Sequence, residues 1–463
     1  MAGGTWLTQN KVRPGAYINF SQVAAPLISV GDRGICTIAL ELPWGAENEL
    51  IDVLSSDMLD GTSRKKIGYT AFDTEESKIM RVILSNCYRC KVFRINFGGA
   101  KATAIDEVTK IQVTAKYTGT AGNKIEVQIT ESKTIEGQFT ITTFWEGLQV
   151  HTQVVTELSQ IENNDYVDFD VNDESAALKE VAGLPLQGGT DGTYDKDNYS
   201  NYFALLRTAR WQTLGIIKDG ETVNPLANEL VEDLRENEGR KVQVAIYSTS
   251  HALNYEGVIR TEQGLMLENN EQLSKEEVPA LVAALTAGAD LVTSNTGRVI
   301  DSPAALEIIG EYTNSEIIEK LNLGAFVFSK RDDDLIQVEK DINTYHEFTP
   351  TKAYQFSKNK VIRVIDNMAM DVSLTWDKSY KGKVPNNDAG RQLFKGDVIN
   401  YIQTLQSIGA VDVYLVDGTP YDLNANITVK RGEKIDSVVM QIYELPVVDN
   451  MEILYLNVVL QAG

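Results

Sequence analysis

Three cysteines, Cys36, Cys87 and Cys90, are the first residues whose chemistry needs weighing. Cys87-x-x-Cys90 has the spacing of half a zinc site or of a redox pair. A closed zinc site needs two more ligands, and only Cys36, His151, His251 and His346 remain to supply soft ones, with no second CxxC and no HxxxH. These residues are therefore expected to be half-buried thiols, and no metal is expected. Gly188-Gly189-Thr190-Asp191-Gly192-Thr193 is glycine-rich enough to cradle a phosphate, but it lacks GxxxxGK[ST] and follows no clear strand. It reads as a turn joining two domains. Asp332-Asp333-Asp334 lacks the spaced oxygen ligands of an EF-hand loop and reads as a solvated loop before a strand. Three histidines and no GxSxG leave no Ser-His-Asp engine. No catalytic residue and no cofactor are expected. Trp6, Trp44, Trp145, Trp211 and Trp376 are scattered and read as core or interface residues.

The elements that would carry any site come from length and pattern. At 463 residues the chain is too long for one core. Lys plus Arg is 43 and Asp plus Glu 65, a net charge of −22. That disfavours binding to nucleic acid or to an anionic membrane and leaves room for a basic partner. No apolar run approaches the length of a membrane helix, and no signal peptide is visible. Three cysteines fit synthesis in a reducing cytosol.

The expected fold class is multidomain, α/β and α+β. Residues 24–98 and 188–345 form an α/β domain, and residues 99–187 are a β-rich insertion in it. Residues 346–463 form a C-terminal α+β domain, joined by an N-terminal arm, 1–23. In the insertion, Ile111–Ala115, Lys124–Thr130 and Phe139–Trp145 alternate with period two, and Glu174–Val181 offers a short helix. In the α/β part, Tyr199, Tyr202, Phe203 and Leu206 share a helix face. Asn224-Pro225 and Ser302-Pro303 each read as a helix start, and Ser274 with Glu277 as a capping box. Near the C-terminus, Val361, Ile365, Met368 and Val372 mark one helix and Phe394, Val398, Tyr401, Ile402 and Leu405 another. Val411–Val416 and Ser437–Tyr443 read as strands. On the second helix Arg391 and Lys395 lie four apart, opposite the apolar face. They are either a solvated face or a contact for an acidic surface.

The terminal run Ile453–Leu460 is apolar on both faces, the mark of a strand buried on both sides. Chain ends fray unless tied down. This strand therefore pairs either in its own domain or, as an exchanged arm spanning 447–463, with a neighbour's sheet. Tyr17, Ile18 and Phe20, after the helix-breaking Pro14 and Gly15, could do the same at the other end.

Several stretches, in order along nearly the whole chain, resemble the contractile tail sheath proteins of phages and phage-like elements of Gram-positive hosts. They are Arg13-Pro14-Gly15-Ala16-Tyr17-Ile18, Tyr117-Thr118-Gly119-Thr120-Ala121-Gly122-Asn123, Gly188-Gly189-Thr190-Asp191-Gly192, Ala283 to Gly288 with Ser294-Asn295-Thr296-Gly297, Gly324-Ala325 with Ile342-Asn343-Thr344, Arg363-Val364-Ile365-Asp366, Gly382 to Asn387, and Tyr455-Leu456-Asn457-Val458. Tyr345 departs from the smaller or aliphatic residue more usual there.

The resemblance implies an inner domain built from both chain ends, the α/β domain outside it and the β-rich insertion outermost. It implies arms at Tyr17, Ile18, Phe20, Ile453, Tyr455, Leu456, Val458 and Leu460 that link copies into stacked six-fold rings around an inner tube. It also implies contraction that drives the tube through an envelope, contacts to tube, baseplate and terminator proteins, no nucleic acid or membrane insertion, and assembly in the host cytoplasm into a virion or phage-like particle. Arg391 and Lys395 are candidates to face the tube. The competing reading is an α/β enzyme with an inserted β domain acting on a small molecule.

Overall fold

The computed structural model describes residues 3–4, 16–17, 33–73, 77–171 and 177–459. The chain divides into two compact units, one of residues 1–31 and 371–447, the other of residues 32–370 and 448–463.

The larger unit is built on a six-stranded sheet in the order Val258–Thr261, Gln243–Tyr247, Thr213–Gly215, Ile35–Leu40, Arg89–Arg94, Leu50–Leu54. The first five run parallel and the last antiparallel. Central parallel strands are covered on both faces, which is why Ile35–Leu40 is buried at all six positions. Its alternating side chains enter different cores. Cys36 and Ile38 pack with the helices Lys78–Leu84 and Val278–Gly288. Ile35 and Ala39 pack with the helices Asn198–Leu206 and Gly220–Glu236.

Three expected starts differ here. Gly220–Glu236 begins four residues before Asn224, behind Asp219 in the left-handed region (φ 53°), and Pro225 lies inside it. Asn224 instead donates its amide to the Tyr247 carbonyl (2.9 Å). After Ser302-Pro303 the chain forms the strand Ala305–Ile309, captured by antiparallel pairing with Gly264–Leu267. At Ser274 half of the capping box forms, its N–H donating to Glu277 (2.9 Å).

Two further sheets form a sandwich. One has the order Leu148–Val155, Phe139–Trp145, Ile125–Glu131, Val181–Pro185, and the other Val167–Val171, Ile111–Thr118, Lys101–Ile105. The short helix expected over Glu174–Val181 is absent from its described part, because Val181–Pro185 instead completes the edge beside Ile125–Glu131.

Trp44, from the loop after Ile35–Leu40, is fully buried in the core of this sandwich. Its ring meets Tyr117 and Trp145 edge-on, both at 5.3 Å, and its indole N–H donates to the Lys65 carbonyl (3.0 Å). The glycine-rich stretches close the same junction. Asn123 and Gly189 exchange two hydrogen bonds of 2.8 Å, and Asp191 accepts from Thr120. Gly119 (φ 129°) lies so close to Pro43 that a Cβ would fall 1.8 Å from its carbonyl oxygen. Buried Arg94 ties the Gly45 and Thr118 carbonyls together across this joint. Gly188–Gly192 is thus part of a packed seam.

In the smaller unit the helix Asp388–Ser407 turns Phe394, Val398, Tyr401, Ile402 and Leu405 inward. The hairpin Ile427–Arg431 with Val438–Ile442 packs on it. Val411–Val416, expected as a strand, forms only isolated bridges, Val411 with Val447 and Tyr414 with Pro420. The turn at Asp417-Gly418 folds the segment back on itself before a ladder can build. The helix Asn359–Thr375 begins in the larger unit and ends in this one. At the N-terminus Gly3–Gly4 pairs in parallel with Ala16–Tyr17. Among the described residues no helix is long and apolar enough to cross a membrane.

Candidate assembly interfaces

The residues singled out for catalytic or metal chemistry are engaged structurally. Cys36 and Cys90 are opposed on neighbouring parallel strands, and all three cysteines are free and buried. Burial pushes the Cys87 and Cys90 thiols well above the usual range, which leaves them poor nucleophiles. Among the described residues no cluster of His, Cys, Asp or Glu could hold a metal ion. Asp333 and Asp334 pair with Arg331 (2.7 Å) and Lys330 (2.8 Å) in the turn before the strand Ile336–Val338. His251 faces Arg260, and His346 bonds the Thr344 carbonyl.

The C-terminal arm is different. Residues 451–459 have no regular structure, and among the described residues no backbone hydrogen bond ties them down. Met451, Ile453, Leu454, Tyr455, Leu456, Val458 and Val459 are all more than two-thirds exposed, Tyr455 at 91%. Seven large apolar side chains in nine residues stand in solvent. Tyr17 lies in the short N-terminal pairing, while Ile18, Phe20 and Leu460 lie outside the described residues.

The arm is loose in its length and fixed at its root. Lys358, 2% exposed at its side chain, pairs with Glu452 and with Asp449 (3.3 Å). Glu452 also accepts from the Thr296 hydroxyl (2.7 Å), which in turn accepts from the Asp341 N–H (2.9 Å). Asp341, fully buried, accepts from Asn359 (2.9 Å) and pairs with Arg363 (3.3 Å). Further along the same helix, Asp366 accepts two hydrogen bonds from buried Arg235, of 2.6 and 3.0 Å. The sheath-like stretches Ser294–Gly297, Ile342–Thr344 and Arg363–Asp366 therefore lie at or beside one charged network. Lys358, Thr296, Asp449 and Glu452 were not apparent as site residues from spacing. The available signal was a pair of acids, Asp449 and Glu452, directly before an uncharged apolar run.

Burial pulls the Lys358 ammonium down, but its bond to Glu452 and the charges of Glu452 and Asp449 outweigh this, and its pKa is raised above 10.5. The stability it contributes is fully present below the unfolded value and is lost as pH rises through the higher folded one. Lys358→Met should cost about 2 kcal/mol, less than a fully buried pair because Asp449 is partly in water. In denaturant titrations the gap from wild type should hold to pH 10 and narrow above 10.5. A gap that stays constant through that range would show the ammonium is not its source.

Arg391 and Lys395 are half-buried. Arg391 pairs with Asp388 and donates to the carbonyl (3.2 Å) and side-chain oxygen (2.8 Å) of Asn386. Lys395 donates to the Asn424 carbonyl (2.9 Å). Of the two alternatives for this pair, a freely solvated face does not form, because the chain before and after the helix folds back over it. Asn386 in turn donates to the carbonyls of Ile435 and Ser437 (both 2.9 Å) at the hairpin turn. Among the described residues, the hairpin Ile427–Arg431 with Val438–Ile442 is a two-stranded sheet with both outer edges unpaired. Such a sheet is marginal alone and is a template for further strands.

Comparison with known proteins agrees along the chain. Family models match in succession, the phage tail sheath protein beta-sandwich domain over residues 97–191, the central domain over 192–344 and the phage tail sheath C-terminal domain over 351–461. The chain is 28% identical to the phage-like element PBSX protein XkdK of Bacillus subtilis, over 99% of each chain. It superposes on the sheath tail protein of Desulfitobacterium hafniense with a TM-score of 0.75 and 32% identity, covering 93% of this chain and 96% of that one. For the sheath tail protein of Listeria innocua the TM-score is 0.79 and the identity 26%, covering 91% and 94%.

Proposed function

Because the chain belongs to the phage tail sheath family, a family of structural proteins and not of enzymes, we propose that it polymerises into stacked six-fold rings around an inner tube and contracts to drive that tube through a cell envelope. The observation that carries this reading is the C-terminal arm, apolar and exposed from 451 to 459, without backbone pairing among the described residues, yet clamped at Glu452. An arm of this kind gains by completing a sheet in another copy, and the hairpin Ile427–Ile442, whose outer edges are unpaired among the described residues, is chemically suited to receive it. A head-to-tail contact that does not close on itself generates a helical filament.

Contraction needs no bound fuel if the extended lattice is kinetically trapped above a more deeply buried one. A net gain of a few hundred Å² of apolar burial per copy, at ~25 cal/mol per Å², supplies several kcal/mol. Buried Arg94 and the tight Gly119 joint support the sandwich and the six-stranded sheet moving as one body, with the exchanged arms as hinges. The Tyr17, Ile18 and Phe20 segment is placed in the same role at the other end. Arg391 and Lys395 stay in the proposal as tube-facing cations, with Arg391 also serving as a strut. Baseplate and terminator contacts, assembly in the host cytoplasm and residence in a virion or phage-like particle complete it.

The test is electron microscopy of the purified chain across a concentration series, alone and with the inner tube protein. Tubes or rings are expected. A chain that stays monomeric at every concentration, and inert toward the tube protein, would overturn the reading of a subunit that polymerises around that tube.

A further inference from the structure

The smaller unit contains a cleft of about 300 Å³ beside the start of the strand Val438–Ile442. Its floor is aromatic. Trp376 and Tyr380 stack at 6.0 Å, and Phe394 meets them edge-on at 5.0 and 4.8 Å. Val384, Pro385 and Val438 add apolar wall, while Lys381, Asn386 and Asp436 lie at the polar part of its lining. The wall is prebuilt, since Arg391 holds Asn386 and Asn386 holds the hairpin turn. Gly390 lets the loop close, as a Cβ there would fall 2.2 Å from the Pro385 oxygen.

We propose that this cleft is a socket for Tyr455 of a second copy. This rests on the strand-exchange reading above and names where that strand is gripped. Three observations select the occupant. The cleft combines an apolar floor with polar groups, which suits a ring carrying a hydroxyl. Among the exposed apolar residues of the arm, Tyr455 alone has both, and at 91% exposure its ring meets nothing substantial in its own chain. The cleft also adjoins the hairpin, whose outer edges are unpaired among the described residues, so a strand laid along the edge beside Val438 passes the cleft, and strand periodicity turns every second side chain toward it. Backbone pairing to an edge tolerates slippage by two residues, and one aromatic in one socket fixes the register.

The experiment places the photoreactive p-benzoylphenylalanine at position 455 of the full chain and irradiates it under assembling conditions, with the tube protein present. Adducts between copies should map to residues 376–394 or 436–438. Val384→Trp, which fills the cleft, should cut their yield about tenfold, equivalent to about 1.4 kcal/mol. Should Val384→Trp melt early, the adduct map of the unfilled chain decides alone. Adducts mapping elsewhere, or none, overturn the socket. Removal of residues 453–463 separates the two levels. If that truncated chain still assembles, strand exchange fails and the socket with it; if it does not, while adducts map elsewhere, only the socket fails.

Discussion

A chain ended at Glu452 folds and melts as the full chain does and no longer polymerises. The described residues it loses contribute little to their own fold, because residues 453–459 make no backbone pairing with other described residues and expose their apolar side chains. What they would contribute is a contact with another copy. Fully burying one such side chain is worth about 1.5–3 kcal/mol, so the arm carries several kcal/mol even after its ordering is charged against it. Each 1.4 kcal/mol is about a factor of ten in affinity, so assembly should weaken by at least about a thousandfold. Ending at Glu452 leaves the acid that pairs with Lys358 in place, so the root stays intact. Sedimentation and thermal melting read the two quantities separately. A truncated chain that still forms tubes, or one that loses ten degrees in its melt, would show the arm belongs to its own fold.

Trp44→Ala is the second large effect, and it acts on stability. This indole is fully buried, fills the base of the sandwich and hydrogen-bonds the Lys65 carbonyl. Removing a ring of this size from a packed core costs about 3–5 kcal/mol. The loss falls at the joint, so calorimetry should show the sandwich unfolding early as a separate transition, with the six-stranded sheet little changed. Trp44→Phe keeps most of the ring and should lose about 1 kcal/mol with the indole hydrogen bond. An alanine variant with one unshifted transition would remove Trp44 from its place as the wedge of this joint.

Periodicity made much of this legible. The face Tyr199, Tyr202, Phe203 and Leu206 is buried along one helix, and the alternation of Phe139–Trp145 is an inward and outward alternation in the sandwich. Where local signals failed, tertiary pairing had won. Ser302-Pro303 carries a helix-start signal, yet the residues after it satisfy their backbone on Gly264–Leu267. Asn224-Pro225 looks like a start because proline tolerates that place, but the left-handed Asp219 had already set the helix in motion. Of the candidate interface, the apolar arm was visible as composition. Its root was hidden, because Lys358, Thr296 and Glu452 are scattered along the chain and meet only when it folds. Arg391 illustrates the converse, a cation whose spacing suggested an outward face and whose fork is used within the unit.

The clamp at Glu452 also sets a length. Beyond it, the chain runs on to Gly463, and residues 453–463 at roughly 3.3 Å each can reach about 36 Å at most. Because Lys358 and Thr296 grip that carboxylate, no further chain pays out from behind it. A copy joined through this stretch is on a short leash, and any change in lattice spacing must keep root and receiving edge within its span or break the link. Lengthening the arm past Glu452 by a few flexible residues would relax that limit, so arm length becomes a dial on how far neighbouring copies can travel while still connected.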